Sequence, residues 1–163
     1  MIRPLTGDDA DELAALLAAN RRFLAPYEPE RPDGFFTATG QRERLAIPLE
    51  NSWRFAILDG DAIAGTISIT NVARDALQSG NVGYWVAEDR NGRGLATAAV
   101  GELLVFAFGE AQLHRVEAGT LVDNVRSQRV LERNGFDRIG VARNYLLIAG
   151  EWRDHVLFQR VAG

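Results

Sequence analysis

A run of β-prone residues, Val82-Gly83-Tyr84-Trp85-Val86-Ala87, passes through Glu88-Asp89-Arg90-Asn91-Gly92-Arg93-Gly94 directly into an alanine-rich helical stretch from Leu95 to about Glu110. A strand that becomes a helix across a glycine turn demands a sheet with helices packed on it. It also gathers the unpaired N–H groups of the helix start and the positive end of the helix dipole at one place, which suits an anion. Gly92 and Gly94 let the backbone approach a phosphate closely, and Ala96 keeps the first helical turn slim beside Leu95 and Thr97. Arg90 and Arg93 can add charge-assisted bonds to phosphate oxygens. The same glycines also suit a plain strand–helix turn that only needs unusual dihedrals, and the turn alone does not choose. Two nucleotide sites fail on spacing: the third glycine of the dinucleotide fingerprint is missing, and no Gly-Lys pair exists for a P-loop.

The surrounding pattern is mixed α/β. Ile2-Arg3-Pro4-Leu5 reads as a short strand, and Asp8 and Asp9 are cap candidates for a helix through Asn20 with Leu13, Leu16 and Leu17 at helical spacing. Phe23 to Gly40 carries Pro26, Pro29 and Pro32 with Tyr27, Phe35 and Phe36; it reads as an aromatic loop before a helix from about Gln41, limited by Pro48. Trp53–Leu58 and Ala62–Thr70 flank Asp59-Gly60-Asp61 as a hairpin. Val116–Leu121 reads as a strand, and Val125–Asn134 as a helix closed by Gly135 at C′. Two last strands, near Phe136–Tyr145 and Val156–Val161, flank a loop at Ala149-Gly150-Glu151. With 163 residues, 47% hydrophobic and 25% charged, one globular domain spanning 1–163 is expected.

Composition removes whole chemistries. There is no cysteine and all 18 basic residues are arginine, so thiolate metal sites, cysteine nucleophiles and Schiff-base lysines are excluded. His114 and His155 are too few for a histidine-rich metal site, so no metal is expected. The net charge of −4 argues against a nucleic-acid partner and would favour cationic acceptors. No apolar run approaches the roughly 18 residues of a membrane span, and the N-terminus lacks a signal-peptide core, which predicts a cytoplasmic protein without a membrane partner.

A second constellation, Asn124-Val125-Arg126-Ser127-Gln128-Arg129-Val130-Leu131-Glu132-Arg133-Asn134-Gly135-Phe136, follows the next strand. Together the two segments resemble the GNAT superfamily of acyl-CoA-dependent N-acyltransferases. Asn91-Gly92-Arg93-Gly94-Leu95-Ala96 matches its pyrophosphate motif, with Asn91 where glutamine or arginine is usual. Asn124, Ser127 and Gly135-Phe136 match its second motif. Tyr84-Trp85-Val86, Leu113-His114-Arg115-Val116-Glu117-Ala118 and Gly150-Glu151-Trp152-Arg153-Asp154-His155-Val156-Leu157-Phe158 resemble the ribosomal-protein N-terminal acetyltransferase branch.

The resemblance implies a GNAT fold: a twisted mixed sheet splayed at its centre, helices on both faces, and acetyl-CoA as cosubstrate. The pantetheine arm would lie between the splayed strands, against the backbone of Trp85 and Val86, where an N–H could polarise the thioester carbonyl. Ser127 would donate to the departing sulfur, or serve as a helix-start serine. Asn124 would bond pantetheine or cap the helix. Arg129 and Arg133, one turn apart, can reach one phosphate or remain solvated charge. Some members of the branch carry a glutamate base where Leu146 stands here, which leaves Glu117 as base, or as a partner of Arg115. Tyr27, Phe35 and Tyr84 are expected to shape the acceptor site, while Asp154 and His155 hold the closing strand or line the mouth. The reading is acetylation of a protein or peptide N-terminal α-amine in a ternary complex. A small-amine acetyltransferase, acting on an antibiotic or polyamine, and a CoA-binding module without turnover are the alternatives; a homodimer is left open.

Overall fold

The structure, a computed structural model, describes all 163 residues. In chain order it contains β1 (Ile2–Pro4), α1 (Ala10–Leu24), α2 (Ala38–Ala46), β2 (Trp53–Asp59), β3 (Ala62–Ala73), β4 (Ser79–Val86), α3 (Leu95–Phe108), β5 (Arg115–Leu121), α4 (Val125–Arg133), β6 (Asp137–Ile148) and β7 (Glu151–Val161). The strands form one sheet in the order β1-β2-β3-β4-β5-β7-β6. Every neighbouring pair is antiparallel except β4 and β5.

Alternation along β4 shows that helices cover both faces. Tyr84 packs on the large cluster that holds Val100, Leu103 and Ala107 of α3 and Leu131 of α4. The next residue, Trp85, packs on Leu13, Leu17 and Leu24 of α1. Neighbouring residues of a strand point to opposite faces, so α1 lies on one side and α3 with α4 on the other.

The parallel pair at the centre is short. Ser79, Gly80 and Asn81 pair with Arg115, Val116 and Glu117, and the ladder stops there. Beyond it, Val82–Val86 stays with β3 while Ala118–Leu121 stays with β7. The sheet therefore opens into a wedge with backbone edges on both sides.

Two expectations need correction at their boundaries. The 23–40 segment is more regular than its prolines suggest: Phe23 and Leu24 complete α1, two 3₁₀ turns occupy 25–27 and 33–36, and α2 already starts at Ala38. The Thr37 hydroxyl caps α2 by accepting from the Gly40 N–H at 3.1 Å, a signal hidden behind a Thr-Gly pair. The last two strands run on into a hairpin whose turn is only Ala149-Gly150, both at positive φ. Charged residues masked the alternation of β7 up to Val156. Between Ala142 and Leu146 the register slips, and the Asp154 carboxylate accepts from the Asn144 N–H at 2.8 Å, holding a bulge that turns Tyr145 toward His155.

Candidate active site

Three connected cavities run through the wedge. At the glycine turn lies one of about 210 Å³, lined by Asn91, Gly92, Gly94, Leu95, Ala96, Thr97 and Val86. Gly92 and Gly94 both sit at φ +78, and a Cβ built on either meets nothing within 4 Å, so the cradle is open where a phosphate would rest. Arg90, Arg126, Arg129 and Arg133 complete its wall. The three α4 arginines are exposed and follow helical spacing along one face. Arg126 escaped the sequence reading; its spacing from Arg129 was the available signal. Arg93 does not line this cavity and instead bonds Asp59 in the β2–β3 turn at 2.5 Å, while Arg90 lies 3.4 Å from the same carboxylate.

The unusual Asn91 turns inward. Its amide donates to the Ala87 carbonyl at 3.1 Å, so the side chain closes the end of β4. Buried Asn20 of α1 tightens the same corner, accepting from the Glu88 N–H at 2.8 Å and donating to the Leu16 carbonyl at 2.9 Å.

A narrow cavity of about 130 Å³ joins this end to the middle, between Trp85, Val86, Asn124, Arg126 and Ser127. Asn124 caps α4, accepting from the Ser127 N–H at 3.2 Å. That leaves the Ser127 hydroxyl free of capping duty, and it pairs with the Tyr84 hydroxyl at 2.8 Å. The Tyr84 hydroxyl also lies 3.2 Å from the Ser127 carbonyl, to which it can only donate. Burial pushes the Tyr84 phenol up to about 12, opposed in part by the Ser127 bond, so it stays protonated at neutral pH.

Beyond this pair the wedge widens into a cavity of about 790 Å³. Its walls come from Tyr27, Glu28, Arg31 and Phe35 of the 23–40 segment, Arg44 of α2, Ala118–Leu121 of β5, and Tyr145, Leu146, Leu147, Trp152 and His155 of the closing hairpin. Tyr27, Phe35 and Tyr84 thus share one cavity. Glu117 does not line it. The Glu117 carboxylate lies 4.0 Å from Arg115 on a half-exposed part of β5, which removes it from an acceptor held in the wedge. Leu146 does line the cavity, so the position of the expected glutamate presents a hydrocarbon. Glu28 and His155 are the groups there that can accept a proton. His155 is buried, and its Nδ1 lies 3.0 Å from the Arg153 carbonyl. A carbonyl only accepts, so Nδ1 carries a hydrogen, and in the neutral ring the lone pair is on Nε2.

A glycine-lined cavity walled by arginines, an open strand edge and a paired hydroxyl in one trough form the arrangement a coenzyme-A acyltransferase needs. Residues 1–137 match the acetyltransferase (GNAT) domain model, and the chain belongs to that family. It is 37% identical over 161 residues to the probable N-acetyltransferase YjcK of Bacillus subtilis, covering 94% of this chain and 89% of that protein. Its structure matches the ribosomal-protein-S5-alanine acetyltransferase of Vibrio fischeri with a TM-score of 0.94 at 34% identity, covering 98% of this chain and 91% of the other. Mycobacterium smegmatis RimJ, solved with CoA-disulfide, matches with a TM-score of 0.88 at 32% identity, over 99% and 81% of the two chains. The protein is an acetyl-CoA-dependent N-acetyltransferase.

Proposed function

We propose that the acceptor is the α-amine of a protein or peptide N-terminus, acetylated in the cytoplasm by direct attack on the thioester. The observation that carries this reading is the continuous trough, with phosphate-sized cationic space at one end, the Ser127–Tyr84 pair in the middle and a wide, largely apolar acceptor cavity at the other. The likeness to an enzyme named for ribosomal-protein alanine supports it. The glycine-turn N–H groups with Arg90, Arg126, Arg129 and Arg133 would hold the pyrophosphate. The free edge of β4 at Trp85 and Val86 would take the pantetheine amides and offer an N–H to the thioester oxygen.

The amine nitrogen attacks the carbonyl carbon and loses its proton to Nε2 of His155, directly or through one water. As the C–S bond breaks, Ser127 donates its hydroxyl proton to sulfur, with the Tyr84 phenol holding that hydroxyl in place. Solvent returns the His155 proton to Ser127, so the cycle closes with no net proton change. An α-amine titrates at ~7.7–8.0 against ~10.4 for a lysine side chain, so far more of it is the free base at neutral pH.

The test presents one peptide with a free N-terminus and no lysine beside the same peptide with a blocked N-terminus and one lysine, with a polyamine as third arm. Acetyl mass should appear on the first alone. Modification confined to the lysine peptide or the polyamine would reverse the assignment.

A further inference from the structure

Two guanidinium groups share one aromatic ring in the wall of the large cavity. The Cζ of Arg31 lies 4.8 Å and that of Arg44 5.6 Å from the centroid of Phe35. Cation–π contact with one ring holds both groups in a defined position at the cavity surface. Glu28 is the carboxylate lining this cavity, and it lies 4.0 Å from Arg31. Arg44 has no carboxylate within 4.0 Å; its guanidinium reaches the neutral Gln41 amide oxygen at 3.4 Å. Behind it Arg54 donates to the Arg44 carbonyl at 3.0 Å and likewise lacks an acidic partner. Two cations, Arg31 and Arg44, therefore face one carboxylate at the cavity wall, with a third behind Arg44, in a protein whose net charge is −4. Burial draws the Arg44 guanidinium down to about 10, and repulsion from Arg54 and Arg31 adds to it. Burial likewise raises Glu28, against the pull of Arg31 and Arg44. The local charge is unmet in a partly desolvated space, where a planar anion gains most from a guanidinium fork.

Resting on the assignment of this cavity to the acceptor, we infer that Arg31 and Arg44 select acceptors bearing a carboxylate close to the reactive amine. Two sources supply that chemistry: a Glu or Asp side chain in the first few residues of a peptide, or the free α-carboxylate of an amino acid. The preference runs opposite to the one expected from net charge, because the acceptor meets the wall of the cavity and not the average of the surface.

The experiment uses a peptide series with one N-terminal residue and Glu, Gln or Lys at positions two, three and four, together with free amino acids and their amides. At the position that reaches the arginines, Glu should exceed Gln in kcat/KM by about tenfold, the scale of a charge-assisted hydrogen bond, and Lys should rank last. If the free carboxylate is the true partner, amino acids should exceed their amides while the peptide series stays flat. Arg44→Met should bring Glu to parity with Gln and leave CoA affinity unchanged. Arg31→Met, at a more exposed site, gives the same readout should Arg44→Met fold poorly. Equal acetylation of all charges, or a Glu preference that survives in both variants, would overturn the inference while leaving α-amine acetylation standing. Absence of any acetyl transfer would instead count against the acceptor reading. Calorimetric binding of the same compounds to the CoA-bound protein then decides: parity between Glu and Gln, and between acid and amide, defeats the charge selection.

Discussion

The two ends of the trough are built in opposite ways. The end proposed for phosphate is assembled from two contiguous segments, the glycine turn with the start of α3 and the helix α4, and is lined by turn backbone and by arginines. The end proposed for the acceptor draws on side chains from the 23–40 segment, α2, β4, β5 and both strands of the closing hairpin. A site made of backbone and mobile surface charge tolerates side-chain change around it, as Asn91 illustrates by turning inward with the cradle intact. A site made of packed side chains from distant segments changes its chemistry with each substitution, as Leu146 does in place of an acid. The same scaffold can thus keep its acetyl donor while its acceptor varies.

The largest effect is expected where the two ends meet. Ser127→Ala should lower kcat by about 10²–10⁴-fold, the range of a proton-transfer group, with acetyl-CoA affinity nearly unchanged. Tyr84→Phe should cost about tenfold in kcat alone and almost nothing in the Ser127→Ala background, because a group that acts through another loses its effect when that other is gone. Equal losses in binding and turnover for Ser127→Ala would place the serine among structural groups and sever the junction proposed here.

Gly94→Asp tests the phosphate end separately. Its Cβ enters open space and aspartate is among the residues that tolerate its positive φ, at a cost of about 1 kcal/mol, so the fold should survive, while a carboxylate at the turn should weaken CoA binding by about 100-fold. Gly94→Asn imposes the same positive φ without the charge and should lose far less. Calorimetry showing CoA affinity unchanged in a folded Gly94→Asp protein would move the pyrophosphate elsewhere.

The smallest effect lies outside the trough and probes the scaffold that holds α1 in place. Asp9 is buried and accepts from Arg3 at 2.7 and 2.9 Å and from the Thr6 N–H at 2.8 Å. The Arg3 bond leads the causes that hold its carboxyl below the ordinary value of 3.8. A lowered folded-state value means that the unfolded chain binds the proton first. Asp9 therefore contributes stability above that ordinary value, and the contribution disappears as pH falls through the folded-state value. Asp9→Asn should flatten the acid limb of a stability–pH curve below about pH 4 and cost about 1–3 kcal/mol at neutral pH. A parallel acid limb in the variant would show that another carboxylate controls it.

Legibility followed the same division. The glycine turn, Asn124 with Ser127, and Arg129 with Arg133 each lie within a short stretch of sequence, and local geometry alone links their members: a strand end, a helix start, a helical repeat. Their neighbours in sequence are their neighbours in space, so the residues that share these two cavities lie together in the sequence as well. Arg44 lies on α2, Glu28 in a proline-rich bend and His155 on the last strand, with no spacing rule to connect them. Even the tautomer of His155 depends on a carbonyl two residues away that only the strand geometry aims at it. Glu117 shows the converse, since it sits on the right strand beside the right motif, yet lies outside the wedge. What the sequence determined by itself was the class of fold and the segments that line the glycine-turn cavity, because helix termini and strand–turn–helix geometry are local consequences of residue order. What the tertiary structure alone decided was the large cavity and its charge, because the point where β4 parts from β5, and which side chains then face the gap, follow from how distant segments pack.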